Sequence, residues 1–528
     1  MPPDLVKLQR TPREVARWQR AQQELLGGRH GVALARYREL VQQYPGVIQL
    51  WFELGMAATA QLEFKLAEEA FRRSAELARH DAEALVLLGQ QYHRLRRLDR
   101  ARECFERAVE ANSASAHARL SLAAWYERER RVEDALASVN ACLAKYPGDA
   151  QALCLKAMLL HRTGQNSQAE TLLRDLIKAD PKDPNARYSS RHLLAALLDE
   201  SGQYAEALRW LYEAKALLRQ TTNVTKLEQD YDRADRRRRE LMGALRPGRV
   251  GKWREEKPAS NGSRLALLGG HPRSGTTLVE QILGAHPEVV AIDESEAFVQ
   301  EISEQLAPMQ AQRGLTLDAL DRLPSGRRTE LQRRYFKSLL REVAGDVGRH
   351  TENGALNEKL LLDKNPGHTA LLHLWLRLFP ESKLLIALRD PRDVVLSCFF
   401  QNLMLTSTNA NFLSLERAAK HYSDLMDVWL RLRTLGGFEW METRYEDVVN
   451  NVEAEGRRIT EFLGLSWHAN QANHREVALS KVLFAPTYND VTKPVHSRAV
   501  GRWQHYAEAV APIQERLSPY CKAFGYPT

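Results

Sequence analysis

Leu265-Ala266-Leu267-Leu268-Gly269-Gly270-His271-Pro272-Arg273-Ser274-Gly275-Thr276-Thr277 runs from an apolar stretch into a loop of glycines and hydroxyls, and Leu278-Val279-Glu280-Gln281-Ile282-Leu283 continues it with helical spacing. The apolar stretch reads as a buried strand, the loop as a tight turn, and the last segment as a helix. Such a junction makes an anion site, because backbone N–H groups converge there and the helix dipole favours negative charge. Ser274, Thr276 and Thr277 add hydroxyl donors, and Arg273 adds a fixed cationic fork. A nucleoside-triphosphate loop would read G-x-x-x-x-G-K-[ST]; this loop lacks that lysine, which argues against NTP hydrolysis.

A second element agrees with the first. In Ser382-Lys383-Leu384-Leu385-Ile386-Ala387-Leu388-Arg389-Asp390-Pro391-Arg392-Asp393-Val394-Val395-Leu396-Ser397, another buried-strand run ends at Arg389, and Asp390-Pro391 turns the chain into a helix. Arg389 and Ser397 can converge on one phosphate from two sides. Alone, Arg389 serves equally well as a structural ion-pair residue. Two anion sites in one domain suggest a nucleotide carrying phosphates at both ends.

Between them, Gly284-Ala285-His286-Pro287-Glu288-Val289-Val290-Ala291-Ile292-Asp293-Glu294-Ser295-Glu296 ends a strand-like stretch in an acidic pair. One of these carboxylates could act as a base; equally, Asp293 and Ser295 suit a helix N-cap. Leu362-Asp363-Lys364-Asn365-Pro366 supplies a further cation in Lys364. His286 reads as part of a helix-ending turn. Arg327, Arg328, Arg333 and Arg334 read as a solvated helix face, with attraction of an acidic peptide as the alternative.

Upstream, the pattern changes to a repeat of 34. Trp51, Leu54, Gly55, Ala58, Ala67 and Phe71 shift onto Leu85, Leu88, Gly89, Tyr92, Ala101 and Phe105. Further steps give Leu122, Ala123, Tyr126, Ala135 and Val139, then Leu153, Ala157, Leu160, Ala169 and Leu173. One step back gives Ala21, Ala33, Tyr37 and Leu40; a sixth unit (Leu194, Ala195, Leu198, Ala207, Leu211, Ala214) follows a four-residue insertion. Small residues let paired helices approach, and each unit buries its open face on the next. The array resembles the tetratricopeptide repeat over about residues 14–221. A groove that binds an acceptor protein or peptide is one reading, and a plain stacking platform is the other. Residues 222–262 read as a capping helix and linker. The run Arg236-Arg237-Arg238-Arg239 reads as a solvated face, and the break from Pro247-Gly248 onward as the domain boundary.

The composition fits a chain of this kind. At 528 residues, two or more domains are expected, and 44% hydrophobic with 27% charged residues excludes a largely disordered chain. The 75 basic against 67 acidic residues give +8, too modest to mark a nucleic-acid binder. Five scattered cysteines without a CxxC pair predict neither a disulfide framework nor zinc. No apolar run reaches the roughly 18 residues of a membrane span. The charged N-terminal stretch lacks a signal-peptide core, so a cytoplasmic location is expected.

The motifs His271-Pro272-Arg273-Ser274-Gly275-Thr276-Thr277-Leu278 and Leu388-Arg389-Asp390-Pro391-Arg392-Asp393-Val394-Val395-Leu396-Ser397 resemble the two cofactor motifs of sulfotransferases, over about residues 262–528. The resemblance implies an α/β parallel-sheet, P-loop-like sulfotransferase domain at 263–528 behind an all-α repeat solenoid. It implies 3′-phosphoadenosine 5′-phosphosulfate as co-substrate, with no metal. The first loop (Arg273, Ser274, Gly275, Thr276, Thr277) would grip the 5′-phosphosulfate, and Arg389 and Ser397 the 3′-phosphate. Tyr445 of Arg444-Tyr445-Glu446-Asp447 would lie near the adenine. Lys493 and Arg502 fall in a stretch, Tyr488 to Trp503, similar to the family's cofactor-covering loop. The spacing through Glu288 to Ser295 looks like the tyrosylprotein sulfotransferase branch, whose catalytic glutamate falls on Glu294, its transition-state lysine on Lys364 and its late basic residue on Arg502. Two positions depart from that branch: Glu296 stands where it usually has an arginine, and Tyr488 where it has a serine. The expected activity is sulfuryl transfer to a hydroxyl, that of a protein tyrosine; glycan or small-molecule acceptors, and a scaffold with an inactive domain, are the alternatives.

Overall fold

The computed structural model describes residues 12–61, 63–95, 97–256, 264–306, 316–346, 359–402, 404–479 and 497–528. The chain divides into two compact units, Met1–Pro181 and Lys182–Thr528.

The first unit stacks helical hairpins: Pro12–Leu26 with His30–Gln43, Ile48–Ala60 with Phe64–Leu77, Ala82–Arg94 with Leu98–Ala111, Ala116–Arg128 with Val132–Lys145, and Ala150–Arg162 with Asn166–Lys178. The repeat also sets where helices begin. Asp81, Ser115 and Asp149, each 34 apart, accept the backbone N–H three residues on and cap the first helix of their hairpins. The small residues are needed for close approach: a Cβ at Gly55 would lie 2.4 Å from the Phe71 ring, and one at Gly89 2.7 Å from the Phe105 ring. First helices of consecutive hairpins also pack on one another, Ala82–Arg94 against Ala116–Arg128 and that against Ala150–Arg162, so they line the inner side of the stack.

The second unit is built on five parallel strands: β1 (Arg264–Gly270), β2 (Val289–Asp293), β3 (Leu360–Lys364), β4 (Lys383–Leu388) and β5 (Trp440–Arg444), in the order β2-β3-β1-β4-β5. Both faces are covered, as a parallel sheet requires. Leu265 and Leu267 of β1 join Phe298, Tyr335, Trp375, Leu384 and Ile386 on one face. Ala266 and Leu268 join Leu278, Ile282, Leu362, Leu385 and Ile459 on the other. The chain leaves β1 for β2 on one side and reaches β4 on the opposite side, so the crevice at the carboxyl end of β1 is the sheet's switch point, where open α/β sheets place ligands.

The compact division falls at Pro181 and not in the expected linker. The sixth hairpin, Pro184–Glu200 with Tyr204–Thr221, buries Ala195 and Leu211 in the same core as Leu265 and Leu267. Residues expected to be linker form the helix Pro247–Glu255, because Pro247 sits at its first turn and Val250 and Trp253 provide a buried face. Trp253 Nε1 donates to Asp321 Oδ1 at 2.7 Å. The basic run on the helix Val224–Ala244 is not wholly solvated either. Arg238 and Arg239 bind the buried Asp235, and Tyr231 donates to Asp424 of the helix Leu415–Leu435 at 3.2 Å.

Candidate active site

The loop after β1 is tightly constrained. A Cβ at Gly270 (φ +128°) would lie 2.4 Å from the Ala387 carbonyl oxygen of β4, and one at Gly275 (φ +89°) 2.6 Å from the Tyr445 ring. Arg273 itself adopts φ +74°. Thr369 Oγ1 both accepts from Gly270 N and donates to Gly270 O, each at 2.8 Å, which fixes the strand end. Ser274, Thr276 and Thr277 are buried, and Gly275 opens the helix Thr276–Gly284. Tyr445, at the end of β5, therefore closes over the loop, and Gly275 is what lets its ring come so near.

β4 delivers the second element to the same place. Asp390 caps the helix Pro391–Phe399 and Pro391 occupies its first turn. Arg389 Nη1 donates to Arg273 O at 3.2 Å, Nη2 donates to Ala499 O, and the guanidinium lies 5.1 Å from the Tyr445 ring centroid. Its buried Nε has no hydrogen-bond partner among the described residues. Arg273 Nε donates to Ser397 Oγ at 3.1 Å. Asp393 lies behind them, accepting from Gly501 N at 2.7 Å and Trp503 N at 2.8 Å. Burial pushes its carboxyl above the usual range despite Arg389 and those two donors.

The third cluster stands at the ends of β2 and β3, with Lys364 in register with Leu268 of β1 and Asp293 of β2. Lys364 is fully buried; its Nζ pairs with Asp293 Oδ1 and donates to Glu294 Oε1 at 3.1 Å. Burial alone would lower this ammonium, but Asp293, Glu294 and Glu280 outweigh it and hold it charged, above its ordinary value. Glu294 takes φ +47° and its N–H donates to Lys364 O at 2.8 Å, which turns a half-exposed carboxylate out beside the lysine. The cap alternative falls to Ser295, whose Oγ accepts from Ala297 N at 3.0 Å, whereas Asp293 engages the lysine.

Arg273, Ser274, Gly275, Thr276, Thr277, Arg389, Ser397 and Tyr445 thus gather round one loop, and Lys364 with Glu294 stands on the neighbouring strands. Arg502 is placed differently: its guanidinium pairs with Asp199 (Nη2 to Oδ2, 2.8 Å) and lies 4.2 Å from the Phe400 ring centroid. Lys493 and Tyr488 lie outside the described residues. His286 is structural, with Nε2 2.8 Å from Ser466 O and Nδ1 accepting from Glu288 N. Arg327, Arg328 and Arg334 are committed to Glu330, Glu256 and the buried Glu301.

Sequence reading missed the buried groups behind the loop. His271 Nε2 lies 2.8 Å from His421 Nδ1, and burial lowers His271 to about 4 and His421 well below the histidine range. Cys398, pushed up to about 12 by burial, is influenced by Arg273, Arg389 and Lys215 together. The one signal for His271 was its place in the loop. Among the described residues no group of three or more His, Cys, Asp or Glu could hold a metal ion, and no helix is long and apolar enough to cross a membrane.

A parallel sheet with this loop at its switch point defines an α/β class with an anion-binding crevice at the carboxyl ends of its strands, and comparison with known proteins narrows it. Residues 266–469 match the family model described as sulfotransferase family, and residues 86–150 and 127–190 match tetratricopeptide-repeat models. The chain carries tetratricopeptide repeats followed by a sulfotransferase domain. Among curated relatives, protein-tyrosine sulfotransferase A of Caenorhabditis elegans is 26% identical over 273 residues, covering 50% of this chain and 67% of that protein. Protein-tyrosine sulfotransferase 2 of Gallus gallus is 27% identical, covering 50% and 69%. Among solved structures, the sulfotransferase domain from the Synechococcus PCC 7002 olefin synthase is 18% identical, covering 52% of this chain and 98% of that one with a TM-score of 0.36.

Proposed function

We propose that the protein transfers the sulfuryl group of 3′-phosphoadenosine 5′-phosphosulfate to a hydroxyl, with protein tyrosine as the acceptor. The observation that carries this reading is the buried Arg389, whose Nε has no hydrogen-bond partner among the described residues while its Nη1 and Nη2 are held by the Arg273 and Ala499 carbonyls beside the Tyr445 ring. Asp393 Oδ2 lies 4.0 Å from Nη2 and leaves Nε open; a buried donor atom without an acceptor is costly, and a nucleotide 3′-phosphate would complete it. The loop after β1 then takes the 5′-phosphosulfate on its N–H groups and on Arg273.

In this reading Glu294 accepts the proton of the acceptor hydroxyl as its oxygen bonds to sulfur. The bond from sulfur to the bridging phosphate oxygen breaks, and the 3′,5′-bisphosphate leaves with its new charge facing Lys364 and Arg273. Lys364 stays protonated because three carboxylates hold it so. It is therefore a standing cation and not the proton acceptor.

The repeats supply the acceptor's binding face. On the inner side, Glu83, Leu87, Gln90 and Arg94 form one exposed stripe of the helix Ala82–Arg94, and His117, Ala124 and Arg128 occupy matching places on the next. Leu87 is 43% exposed. Glu83 is taken up by His117 Nδ1 at 2.6 Å, which leaves Arg94 and Arg128 at the other end and Leu87 mid-stripe to suit an extended acidic peptide. The test is sulfate transfer from labelled donor into host-cell extract, followed by hydrolysis of the product. Tyrosine sulfate supports the reading; label confined to glycans or metabolites retains the chemistry and removes the tyrosine.

A further inference from the structure

We infer that the helical hairpin Pro184–Glu200/Tyr204–Thr221, a repeat by sequence, is a working part of the nucleotide site, with His192, Asp199 and Lys215 positioning Ser397 and Arg389. The inference rests on the donor assignment above.

One route runs through the end of the helix Pro391–Phe399, whose last carbonyls need partners from elsewhere. His192 Nε2 lies 2.9 Å from Phe400 O, and Lys215 Nζ donates to Gln401 O at 2.7 Å. Gln401 in turn donates through Nε2 to Ser397 O at 3.3 Å. Through its backbone carbonyl and its side chain, Gln401 therefore ties the hairpin to Ser397, whose hydroxyl accepts from Arg273. A cation at this end also complements the helix dipole.

The second route runs through Arg502. Asp199 binds its Nη2 at 2.8 Å and its Nε at 3.3 Å, and accepts from the Tyr506 hydroxyl. Arg502 stacks on Phe400, the residue His192 holds. The same segment offers Gly501 N and Trp503 N to Asp393 and the Ala499 carbonyl to Arg389. Asp199 thus anchors the strip of backbone against which Arg389 is set.

Docking a repeat needs none of this polarity. Ala195 and Leu211 already bury the hairpin in the core. Lys215 is only 3% exposed, and burial pulls its ammonium down to about 7. A buried charge of this kind is a liability to folding, and an apolar side chain of similar volume is often neutral or stabilising in its place. What the Nζ donor secures is the position of Gln401.

The test is calorimetric titration of the full-length protein with 3′-phosphoadenosine 5′-phosphate and with adenosine 5′-monophosphate. The wild type should prefer the bisphosphate; no preference would overturn the donor assignment itself. In Lys215→Met and in Asp199→Asn, that preference should fall about tenfold while monophosphate affinity holds within about twofold, the scale of one displaced charge-assisted hydrogen bond. Asp199→Glu should restore part of it. Equal weakening for both nucleotides, or an unchanged preference with a lowered melting temperature, would make the hairpin a structural support only and overturn the inference. Asp199→Asn keeps the side-chain volume and an oxygen for Tyr506, so it carries the test should Lys215→Met fail to fold.

Discussion

Arg273 Nε donates to Ser397 Oγ at 3.1 Å, joining the loop after β1 to the helix after β4 across 124 positions of sequence. The two motifs that stand apart in the chain are therefore one site. Ser397→Ala removes the hydroxyl that meets both this arginine and the proposed 3′-phosphate. Affinity for 3′-phosphoadenosine 5′-phosphate should fall about tenfold or more by calorimetry, with turnover at saturating donor little changed. A pure loss of turnover would contradict the assignment.

Glu294 is turned out by a positive φ and held beside a buried lysine. Glu294→Gln keeps the size of the side chain and its hydrogen bond to Lys364. Turnover should drop at least about 100-fold, the scale of a lost general base, while nucleotide affinity persists. Wild-type turnover in this variant would remove Glu294 from the role.

The repeat stack has its own test. Gly55→Ala would press a Cβ to 2.4 Å from the ring of Phe71, which is buried on all sides. Helix propensity favours alanine, but overpacking costs about 1–3 kcal/mol and should win. The melting of the first unit, followed by circular dichroism, should shift down; a shift upward would mean that the hairpins can spread.

Acid should destabilise the second unit before carboxylates titrate. The folded-state values of His271 and His373 lie near 4, and His421 is lowered further, all by burial, against about 6.5 when unfolded. Their neutral forms support the fold fully above about 6.5, and that support is lost as pH falls toward 4. Below about pH 6.5 and down to about pH 5, the unfolding free energy from denaturant titrations should decline by about 1.4 kcal/mol per pH unit for each proton taken up only by the unfolded chain. Asp393, raised by burial, works in the opposite sense. A flat profile over this range would contradict the buried, neutral histidines.

Local chemistry was legible, and long-range partnership was not. β1, its loop, β4 and the 34-residue period could be read because each is carried by neighbouring residues: apolar runs, glycines, capping side chains. The helix Pro247–Glu255 was hidden because Pro-Gly signals a break, while the same proline also starts a helix and Trp253 buries against partners some 68 positions away. Arg502 was assigned by resemblance, yet its partner Asp199 lies 303 positions upstream in a segment that reads as an ordinary repeat. The bonds from His192 and Lys215 to the 400–401 turn cross 208 and 186 positions and leave no mark on periodicity.

The central claim is sulfuryl transfer at the loop after β1. The most direct measurement is release of 3′-phosphoadenosine 5′-phosphate from 3′-phosphoadenosine 5′-phosphosulfate by the full-length protein with an acidic tyrosine peptide as acceptor, alongside Glu294→Gln. Release matched mole for mole by sulfated peptide, and lowered at least about 100-fold in the variant, is the predicted result. Equal release by both proteins, or tight nucleotide binding with no sulfated product from peptide or cell extract, would contradict it.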